Sequence, residues 1–410
     1  MIKIDPPKEN INTVIELPGS KSISNRLLMI RAVSGLPILF KNLSDAEDTI
    51  LMAKSLGQIK GKNSATLNIH HAGTDMRFLT AYLSAKNGEW TITGSARIKE
   101  RPVSELVDAL IILGADIKYL EKPGFPPLKI KGKNLSGKRI EIDSSISSQF
   151  ISALMLLAPT LDKELELVLK GNVVSFPYIK MTSELLKLFG IFVAFNGNII
   201  TVRPGTFRMI NDQFLVESDW SAASYWFNVA ALSKNTIIEL KFLDKFSLQA
   251  DSVLPDIYSK LGVSTGFIEK GIRLKSENDH VSEFEYDFTN CPDIAQTIAV
   301  TCFGLRIKAK LTGLQTLKIK ETDRILALKT ELEKLGATIE ATDSSLSIIS
   351  FGNHPPEAPH IKTYSDHRMA MSFSALALKF PGLKIDDPDV VNKSYPAFWD
   401  DMQYAGFSLD

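Results

Sequence analysis

The feature that most constrains the fold is a repeated junction in which a helical apolar pattern ends at a glycine and is followed by a strand-like run. The junction occurs six times, at Gly57, Gly114, Gly190, Gly262, Gly336 and Gly406. The successive intervals are 57, 76, 72, 74 and 70 residues. Each glycine lies where a helix C-terminus favours a left-handed residue, and apolar positions such as Ile325, Leu328 and Leu332 recur with helical spacing.

The even spacing predicts six modules of helix-plus-strand type, since a fixed period marks a repeated supersecondary unit. The alternative is a coincidence of junctions that any α/β protein contains. A stacked solenoid fits less well, because its repeats usually span roughly 20–50 residues. In 410 residues we therefore expect two globular domains of three modules each. The short first interval predicts that one module has lost elements between Arg26 and His71.

Charge and cysteine content exclude several classes of protein. The 47 basic and 47 acidic side chains balance, so a globally basic surface for nucleic acid is not expected. Met1–Pro7 lacks a signal-peptide pattern, and apolar runs such as Ala153–Pro159 are too short to span a membrane. Cys291 and Cys302 are too few for a disulfide framework, which indicates a reducing cytoplasm. The sequence contains no CxxC or HExxH motif, so we expect no structural zinc site.

Several segments place cations or hydroxyls at predicted helix starts, where free N–H groups and the helix dipole favour anions. In Leu17–Arg26 (LPGSKSISNR), Lys21, Ser22 and Arg26 lie in the first turns, without the spacing of a P-loop. Similar segments are 72–77 (AGTDMR), 144–149 (SSISSQ), 320–324 (KETDR, with Thr322 as the expected cap) and 364–368 (YSDHR). Each alone is equally explained by helix capping. Together they indicate a site for anionic ligands.

Three more side chains have both a structural and a functional interpretation. Arg101 precedes a proline and should be held extended, either to grip a carboxylate or phosphate or to pair with Glu100 or Glu105. Asp293 begins an apolar helix, as a cap or as a functional carboxylate. Lys393 would by default be a solvated lysine.

In this order, the segments resemble the 5-enolpyruvylshikimate-3-phosphate synthase family over nearly the whole chain. The motifs that carry the resemblance are LPGSKSISNR, AGTDMR, KERPV, SSQF, SFPYIKMT, ESDWSAASY, PDIAQT, KIKETDRI, YSDHRMAM and NKSYP. The resemblance implies an α/β fold of two inverse α/β barrels with three repeated modules per domain, here with one module shortened. It implies that residues 1–18 and 217–410 form one domain, that residues 19–216 form an inserted domain, and that the active site lies in the cleft between them.

The resemblance implies transfer of the enolpyruvyl group of phosphoenolpyruvate to the 5-hydroxyl of shikimate 3-phosphate, with release of phosphate. Two polyanions must be brought together, so cations and helix N-termini are needed to screen their repulsion. One carbon must be protonated while a hydroxyl is deprotonated, which requires an acid and a base. The implied partners are these two small molecules, without cofactor, metal, nucleic acid or membrane, and the implied state is a monomer.

By matching motif, Asp293 would be the base for the 5-hydroxyl, Glu321 the acid for the methylene carbon, and Lys21 would touch both ligands. His367 would assist or orient its neighbours. The residues implied for shikimate 3-phosphate are Lys21, Ser22, Arg26, Ser147, Ser148, Gln149, Ser175, Tyr178, Asp293, Thr316 and Lys320. Those implied for phosphoenolpyruvate are Lys21, Gly73, Thr74, Arg101, Gln149, Glu321, Arg324, Arg368 and Lys393.

Three positions depart from the family pattern. His71 and Thr316 stand where Asn is usual, and Phe78 stands where Pro is usual. Because His71 and Thr316 can still form hydrogen bonds, we expect activity with altered affinity. The larger Phe78 predicts a changed sensitivity to glyphosate, which competes with phosphoenolpyruvate.

Three alternatives remain at this stage. The related transferase that acts on UDP-N-acetylglucosamine usually carries a loop cysteine, and no cysteine lies near Lys99–Arg101. An anion-binding homologue with impaired catalysis would fit His71, Thr316 and the shortened module. It is opposed by the presence of Lys21, Asp293, Glu321 and Lys393. A repeat scaffold for protein partners would need neither an acid–base pair nor so many cations.

Overall fold

The structure is a computed structural model that describes residues 1–209, 211–277, 279–352 and 357–410. The chain divides into two units, which we call the terminal unit (Met1–Ser20 with Glu217–Asp410) and the inserted unit (Lys21–Val216). The boundary expected at 18/19 lies two residues before this division, and the one expected at 216/217 coincides with it. That the units are domains of one enzyme with a shared cleft stays a prediction.

The terminal unit begins with β1 (Ile2–Asp5) and β2 (Asn12–Ile15) before the chain enters the inserted unit. The helices of the inserted unit are α1 (Lys21–Ser34), α2 (Glu47–Gln58), α3 (Gly73–Ala85), α4 (Ser104–Ile112), α5 (Ser148–Leu157) and α6 (Phe176–Leu188). Its strands are β3 (Leu39–Lys41), β4 (Ser64–Asn68), β5 (Gly88–Thr93), β6 (Asp116–Tyr119), β7 (Leu128–Gly132), β8 (Arg139–Asp143), β9 (Leu165–Lys170), β10 (Val193–Asn196), β11 (Ile199–Val202) and β12 (Gln213–Leu215).

The chain then returns to the terminal unit. Its helices are α7 (Trp220–Leu232), α8 (Leu254–Ser259), α9 (Ala295–Gly304), α10 (Arg324–Lys334), α11 (His367–Ser374) and α12 (Phe398–Tyr404). Its remaining strands are β13 (Ile237–Lys241), β14 (Val263–Ile268), β15 (Gly271–Ser276), β16 (Glu283–Asp287), β17 (Lys308–Thr312), β18 (Ala337–Ala341), β19 (Leu346–Phe351), β20 (His360–Ile361), β21 (Leu383–Ile385) and β22 (Ser408–Leu409).

One β-α-β-α-β-β module accounts for the four-stranded sheets. In the sheet ordered β4-β5-β7-β6, the first two strands are parallel and the other neighbours are antiparallel. The parallel pair is joined by a helix, since parallel neighbours need a crossover connection. The same pattern recurs in β8-β9-β11-β10, β2-β13-β15-β14, β16-β17-β19-β18 and β20-β21-β1-β22.

The sixth sheet of the described residues confirms the predicted shortened module. It has two strands, β3 and β12, paired parallel. Leu39–Lys41 lies within the segment from Arg26 to His71, where the sequence predicted a loss of elements. Each unit therefore holds three sheets, and the predicted six modules are present.

The repeat glycines behave as predicted at five of six positions. Gly114, Gly190, Gly262, Gly336 and Gly406 have φ between +82° and +106°. Gly57 does not, so the prediction for it is wrong. It lies inside α2, and the left-handed glycine after that helix is Gly61, with a φ of +70°. The helix continues through Gly57 because its backbone there stays helical, and the chain turns only beyond Gln58.

Three mutually packed, largely buried helices lie at the centre of each unit: α1, α3 and α5 in one, and α7, α9 and α11 in the other. In α7 every residue except Ser221 is buried. A helix that is apolar on all sides must be surrounded by other elements. The strands of β7 and β8 alternate buried and exposed residues, as expected for sheets with one face on a core. This arrangement, with helices inside and sheets outside, is that of the predicted inverse α/β barrel.

The buried stripe of α10 generates a stability prediction. Leu328 is fully buried, whereas Leu326 on the same helix is 59% exposed. We expect Leu328→Ala to lower the free energy of unfolding by about 2–5 kcal/mol, because it leaves a cavity. Leu326→Ala should change it by less than about 0.5 kcal/mol. Urea unfolding of both variants measures the difference, and equal losses would contradict the assigned helix face.

Candidate active site

The first cations of the inserted unit stand at the start of α1. Lys21 is the first residue of this helix, and its Nζ lies 3.5 Å from Oδ2 of Asp48, a buried residue of α2. Asp48 was not predicted to be a site residue, because one acidic residue near a helix start has no distinctive pattern. The ion pair ties the ammonium group of Lys21 to α2.

Arg26, one turn further along α1, is buried. Its guanidinium donates to Thr182 Oγ1 at 2.7 Å, to Ser152 Oγ at 3.2 Å, and to the carbonyl oxygens of Ser22 (2.9 Å) and Tyr178 (3.2 Å). Burial lowers the pKa of Arg26 to about 10, which still leaves it charged at neutral pH. Arg26 therefore ties α1 to α5 and α6, and its contact with shikimate 3-phosphate stays a prediction.

Phe78 belongs to this same cluster. It is buried in α3, and its ring centroid lies 5.5 Å from Cζ of Arg26. The residue that stands in place of the family's usual proline thus packs against a guanidinium of the predicted site. An effect of Phe78 on ligand affinity would act through Arg26.

Gly73, at the start of α3, supports a close approach of Arg101. A Cβ atom at Gly73 would lie 2.8 Å from Cζ of the Arg101 guanidinium. Arg101 has the predicted extended backbone, with φ −90° and ψ 125°. The alternative partner Glu100 is paired with Arg97 at 2.9 Å. The guanidinium of Arg101 therefore lies directly against the backbone of the α3 start.

Arg77 holds these two segments together. Its Nη1 donates to the carbonyl oxygen of Gly73 at 3.0 Å, and its Nη2 donates to that of Pro102 at 2.9 Å. Sequence analysis did not assign Arg77. The spacing of four residues from Gly73 on one helix was the signal available, since such residues lie one above the other.

Hydroxyl and amide groups gather at the starts of α5 and α3. Ser147 caps α5 by accepting from the backbone N–H of Gln149 at 3.2 Å. The amide Nε2 of Gln149 donates to Thr74 Oγ1 at 3.1 Å. Ser148 is buried in the first turn of α5, and Ser175 precedes α6 in a left-handed conformation, with φ 55°. The structure thus joins Gln149 to Thr74, two residues implied for phosphoenolpyruvate.

Two further predicted residues flank these groups. The ring centroid of Tyr178 in α6 lies 6.0 Å from Cζ of Arg26. His71, just before α3, places Nδ1 2.8 Å from Ser95 Oγ. His71 therefore forms a side-chain hydrogen bond at the position where the family usually has Asn.

Asp293 is the centre of the charged cluster in the terminal unit. It lies in the 3₁₀ turn Pro292–Ile294, which leads into α9. Its carboxylate faces three cations, with distances of 3.6 Å to Lys320 Nζ, 3.4 Å to Arg324 Nη1 and 3.3 Å to Arg368 Nη2. A role as helix cap alone would not explain why three cations from other segments converge on it.

Glu321 forms a second carboxylate centre beside it. Its Oε2 lies 2.8 Å from Arg324 Nη2, and its Oε1 lies 2.7 Å from Lys393 Nζ. Lys393 ends the 3₁₀ turn Pro388–Lys393 and is buried. The interpretation of Lys393 as a solvated lysine is therefore wrong, because the fold covers its ammonium group and pairs it with Glu321.

Arg324 links both carboxylates to a third. Its Nε donates to Oδ2 of Asp366 at 2.7 Å and its Nη2 to Oδ1 at 3.3 Å. Burial would lower the pKa of Arg324, but the carboxylates of Asp366, Glu321 and Asp293 together raise it above the ordinary value. The guanidinium is permanently charged and fixes three acidic side chains.

Asp366 also positions Arg368. It caps α11, and its Oδ1 accepts from the backbone N–H of Arg368 at 2.9 Å. Sequence analysis did not assign Asp366, although an Asp just before a predicted helix was a capping signal. The cap expected at Thr322 is wrong. Asp323 caps α10 instead, accepting from Leu326 N–H at 3.1 Å, because the helix starts one residue later than Thr322 would require.

The remaining predicted residues lie at the edge of this cluster. Thr316 is buried in the 3₁₀ turn Gln315–Ile319, and its hydroxyl has no hydrogen-bond partner in the part of the chain that the structure describes. His367 is buried at the start of α11, with Nδ1 3.8 Å from Asp366 Oδ1. This distance places His367 beside the network of Arg324.

The two cysteines do not belong to the charged cluster described above. Cys291 and Cys302 are buried free thiols, and burial raises the pKa of both. Across residues 1–209, 211–277, 279–352 and 357–410, no group of three or more His, Cys, Asp or Glu side chains is arranged to hold a metal ion. No helix in those ranges combines the length and the apolar sequence that crossing a membrane requires.

Comparison with known protein families identifies the family of the chain. Residues 6–402 match the model of EPSP synthase (3-phosphoshikimate 1-carboxyvinyltransferase). The chain belongs to the EPSP synthase family. A 3-phosphoshikimate 1-carboxyvinyltransferase of Bacteroides fragilis is 47% identical over 403 residues, which cover 97% of this chain and 96% of that one. Proteins of the same name from Photobacterium damsela and Shewanella piezotolerans are 36% and 34% identical, and each alignment covers at least 96% of both chains.

Solved structures agree on the fold. An EPSP synthase from Acinetobacter baumannii superposes with a TM-score of 0.79 at 21% sequence identity, covering 100% of this chain and 99% of that one. The chain therefore has the architecture of this EPSP synthase along its full length. The predicted family and fold class are confirmed.

The buried pair of Arg324 and Asp366 generates a second prediction. Asp366→Ala removes one partner of a buried ion pair and should lower the free energy of unfolding by about 3 kcal/mol. Asp343→Ala removes an exposed partner of Lys318, which lies 2.6 Å from it, and should cost less than about 1 kcal/mol. Urea unfolding compares them. A loss for Asp366→Ala no larger than that of the control would show that Arg324 does not depend on this carboxylate.

Proposed function

We propose that this protein transfers the enolpyruvyl group of phosphoenolpyruvate to the 5-hydroxyl of shikimate 3-phosphate and releases inorganic phosphate, a step of the shikimate pathway to aromatic amino acids. The observation that carries the proposal is the pair of carboxylates, Asp293 and Glu321, held by four cations of the terminal unit. The relatives named 3-phosphoshikimate 1-carboxyvinyltransferase support it.

The charges of the cluster suit the substrates. Both substrates carry a carboxylate and a phosphate, so their approach needs fixed positive charge. Arg324, Arg368 and Lys393 take the charges of phosphoenolpyruvate, while Lys320 faces shikimate 3-phosphate. Because Asp366 already holds the guanidinium of Arg324 and Asp293 holds that of Arg368, little reorganisation is needed when the anions arrive.

The acid and the base follow from the same geometry. Asp293 accepts the proton of the 5-hydroxyl as its oxygen attacks the central carbon of phosphoenolpyruvate. Glu321 donates a proton to the methylene carbon, which becomes a methyl group. Departure of phosphate, together with loss of a proton from that methyl group, restores the double bond and completes the transfer. Each carboxylate has cations beside it that stabilise the charge it carries during the reaction.

The inserted unit supplies the remaining contacts. The hydroxyls of Ser22, Ser147, Ser148, Ser175 and Tyr178 bind the ring and phosphate of shikimate 3-phosphate, with Arg26. Thr316 of the terminal unit binds the same ligand. Gly73, Thr74, Gln149 and Arg101 bind phosphoenolpyruvate, and Lys21 contacts both ligands. The contacts of Gln149 with Thr74 and of Arg101 with Gly73 support this division.

Both units then serve a single reaction. The proposal requires that changes in either unit impair the same turnover. We also propose that the protein acts as a monomer in the cytoplasm, since neither substrate calls for a second chain or a membrane.

Phosphate release in the presence of both substrates is the decisive measurement. We expect turnover by the unmodified protein, and losses in kcat of roughly 100- to 10,000-fold for Asp293→Asn and Glu321→Gln, because each removes a proton-transfer group. Substrate binding should change far less. Glu333→Gln, an exposed change on α10, is the matched control and should leave kcat unaltered.

Two results would contradict this proposal. Tight binding of either substrate without turnover would favour an anion-binding homologue with impaired catalysis. Losses in binding that match the losses in kcat would show that Asp293 and Glu321 act as ligands and not as base and acid.

The close approach at Gly73 generates a further prediction. Gly73→Ala adds a Cβ within 2.8 Å of Arg101 Cζ, so the guanidinium must move. We expect the KM for phosphoenolpyruvate to rise about tenfold, with a smaller change in the KM for shikimate 3-phosphate. Gly57→Ala is the control, because nothing lies within 4 Å of the added atom. Unchanged kinetics for Gly73→Ala would place Arg101 outside the binding site.

A further inference from the structure

Asp251 is a buried carboxylate that the mechanism above does not use. It lies in the 3₁₀ turn Ala250–Val253 and is 2% exposed. Its Oδ2 accepts a hydrogen bond from the hydroxyl of Ser221. Ser221 stands in the first turn of α7 and is the one residue of that helix that is not fully buried. This hydrogen bond connects the buried carboxylate of Asp251 to the hydroxyl of Ser221, a partly exposed residue.

The Ser221 hydroxyl leads on to the charged cluster. Its Oγ lies 3.5 Å from Nη2 of Arg368. The same Nη2 lies 3.3 Å from Oδ2 of Asp293, and Nη1 of Arg368 donates to the Asp293 carbonyl oxygen at 2.9 Å. A continuous polar chain therefore runs from Asp251 through Ser221 and Arg368 to Asp293.

Burial of Asp251 is costly for the fold. Its second oxygen, Oδ1, has no hydrogen-bond partner among the described residues. Desolvation raises the pKa of Asp251 to about 7, and the negative charges of Asp293 and Asp219 add to this, whereas Arg368 and the Ser221 hydroxyl oppose it. The negative charge of Asp251 also contributes to the raised pKa of the buried Cys291 thiol. A buried carboxylate with so few hydrogen bonds and so little opposite charge beside it lowers the stability of the folded chain.

We propose that Asp251 and Ser221 are positioning residues for the phosphoenolpyruvate site. The Asp251 carboxylate orients the Ser221 hydroxyl, so that the hydroxyl oxygen accepts from Arg368 and holds its guanidinium beside Asp293. This inference rests on the proposed function, because it gives Arg368 the role of binding phosphoenolpyruvate. It explains why α7 keeps a partly exposed serine at a position within hydrogen-bond distance of Arg368.

The geometry implies a dependence on pH. With Asp251 ionised, Ser221 must donate to it and therefore presents its lone pairs to Arg368. Once Asp251 gains a proton, at or below about pH 7, the carboxyl can donate to Ser221 and the hydroxyl is free to turn. The guanidinium of Arg368 then loses a fixed acceptor, and the KM for phosphoenolpyruvate should rise as the pH falls from 8 to 6.

The test compares Ser221→Ala, Asp251→Asn and the double variant in the full-length protein. We expect each single change to raise the KM for phosphoenolpyruvate about tenfold at pH 8, with a smaller effect on kcat. The double variant should be no worse than the poorer single variant, because the two residues act in series. The amide of Asp251→Asn can donate to the Ser221 hydroxyl, as the protonated carboxyl does, and it cannot ionise. Its KM should therefore stay raised and no longer vary between pH 6 and 8.

Ser224→Ala is the matched control. Ser224 lies one turn further along α7, is buried, and donates to the backbone carbonyl of Ser221 at 2.6 Å. It should leave the KM for phosphoenolpyruvate unchanged. Additive losses in the double variant, or a KM for Ser221→Ala equal to that of the control, would overturn the proposal.

Melting temperatures separate a positioning role from a structural one. The pKa of Asp251 is raised from 3.8 to about 7, so the folded state binds this proton more tightly than the unfolded chain does. Stability from this group is therefore full below about pH 4 and falls as the pH rises to 7. Asp251→Asn removes that cost, and its melting temperature at pH 8 should equal or exceed that of the unmodified protein. A lower melting temperature with a proportionate loss of kcat would indicate a structural residue.

Calorimetric binding of phosphoenolpyruvate, with shikimate 3-phosphate present, distinguishes the two proposals. If the unmodified protein shows no turnover but Ser221→Ala and Asp251→Asn weaken this binding equally, the proposed function fails and the positioning role stands. If the unmodified protein turns over and both variants bind like Ser224→Ala, the proposed function stands and the positioning role fails.

Discussion

The buried guanidinium of Arg324 is the interaction on which the rest of the charged cluster depends. It holds Asp366, Glu321 and Asp293, which come from three separate segments of the terminal unit. A buried charge of this kind is tolerated only because it is paired on several sides. Asp366 in turn accepts from the backbone N–H of Arg368 and so fixes the start of α11, the helix that carries this second cation.

The repeated architecture of the fold allows such a charged cluster to be accommodated. Central helices that are mostly apolar can be largely buried, and several charged or hydroxyl-bearing residues lie at or next to their first turns. There, unpaired backbone N–H groups and the helix dipole already favour anions. Asp293 just before α9, Arg368 on α11 and Ser221 on α7 all occupy such positions in the terminal unit. Gly73 on α3 and Ser148 on α5 do so in the inserted unit.

Much of this could be predicted from the sequence, and the exceptions have a common cause. The glycine intervals predict the six modules because a left-handed turn after a helix is a local requirement, and five of the six glycines meet it. Gly57 fails because nothing in the local sequence shows that a helix continues through it. Thr322 and Asp323 are both good caps, and only the packing of α10 selects between them.

The sequence by itself determined the module count, the shortened module, the family and the identity of the charged residues, because these depend on local pattern and on motifs that are contiguous along the chain. Only the tertiary structure decided which charges meet. Lys393 and Glu321 are 72 residues apart in the chain, yet they form an ion pair at 2.7 Å. Asp251 carries no motif at all. Its significance appears only where folding buries it behind Ser221 and Arg368, since burial and distance, unlike residue type, are properties of the folded chain.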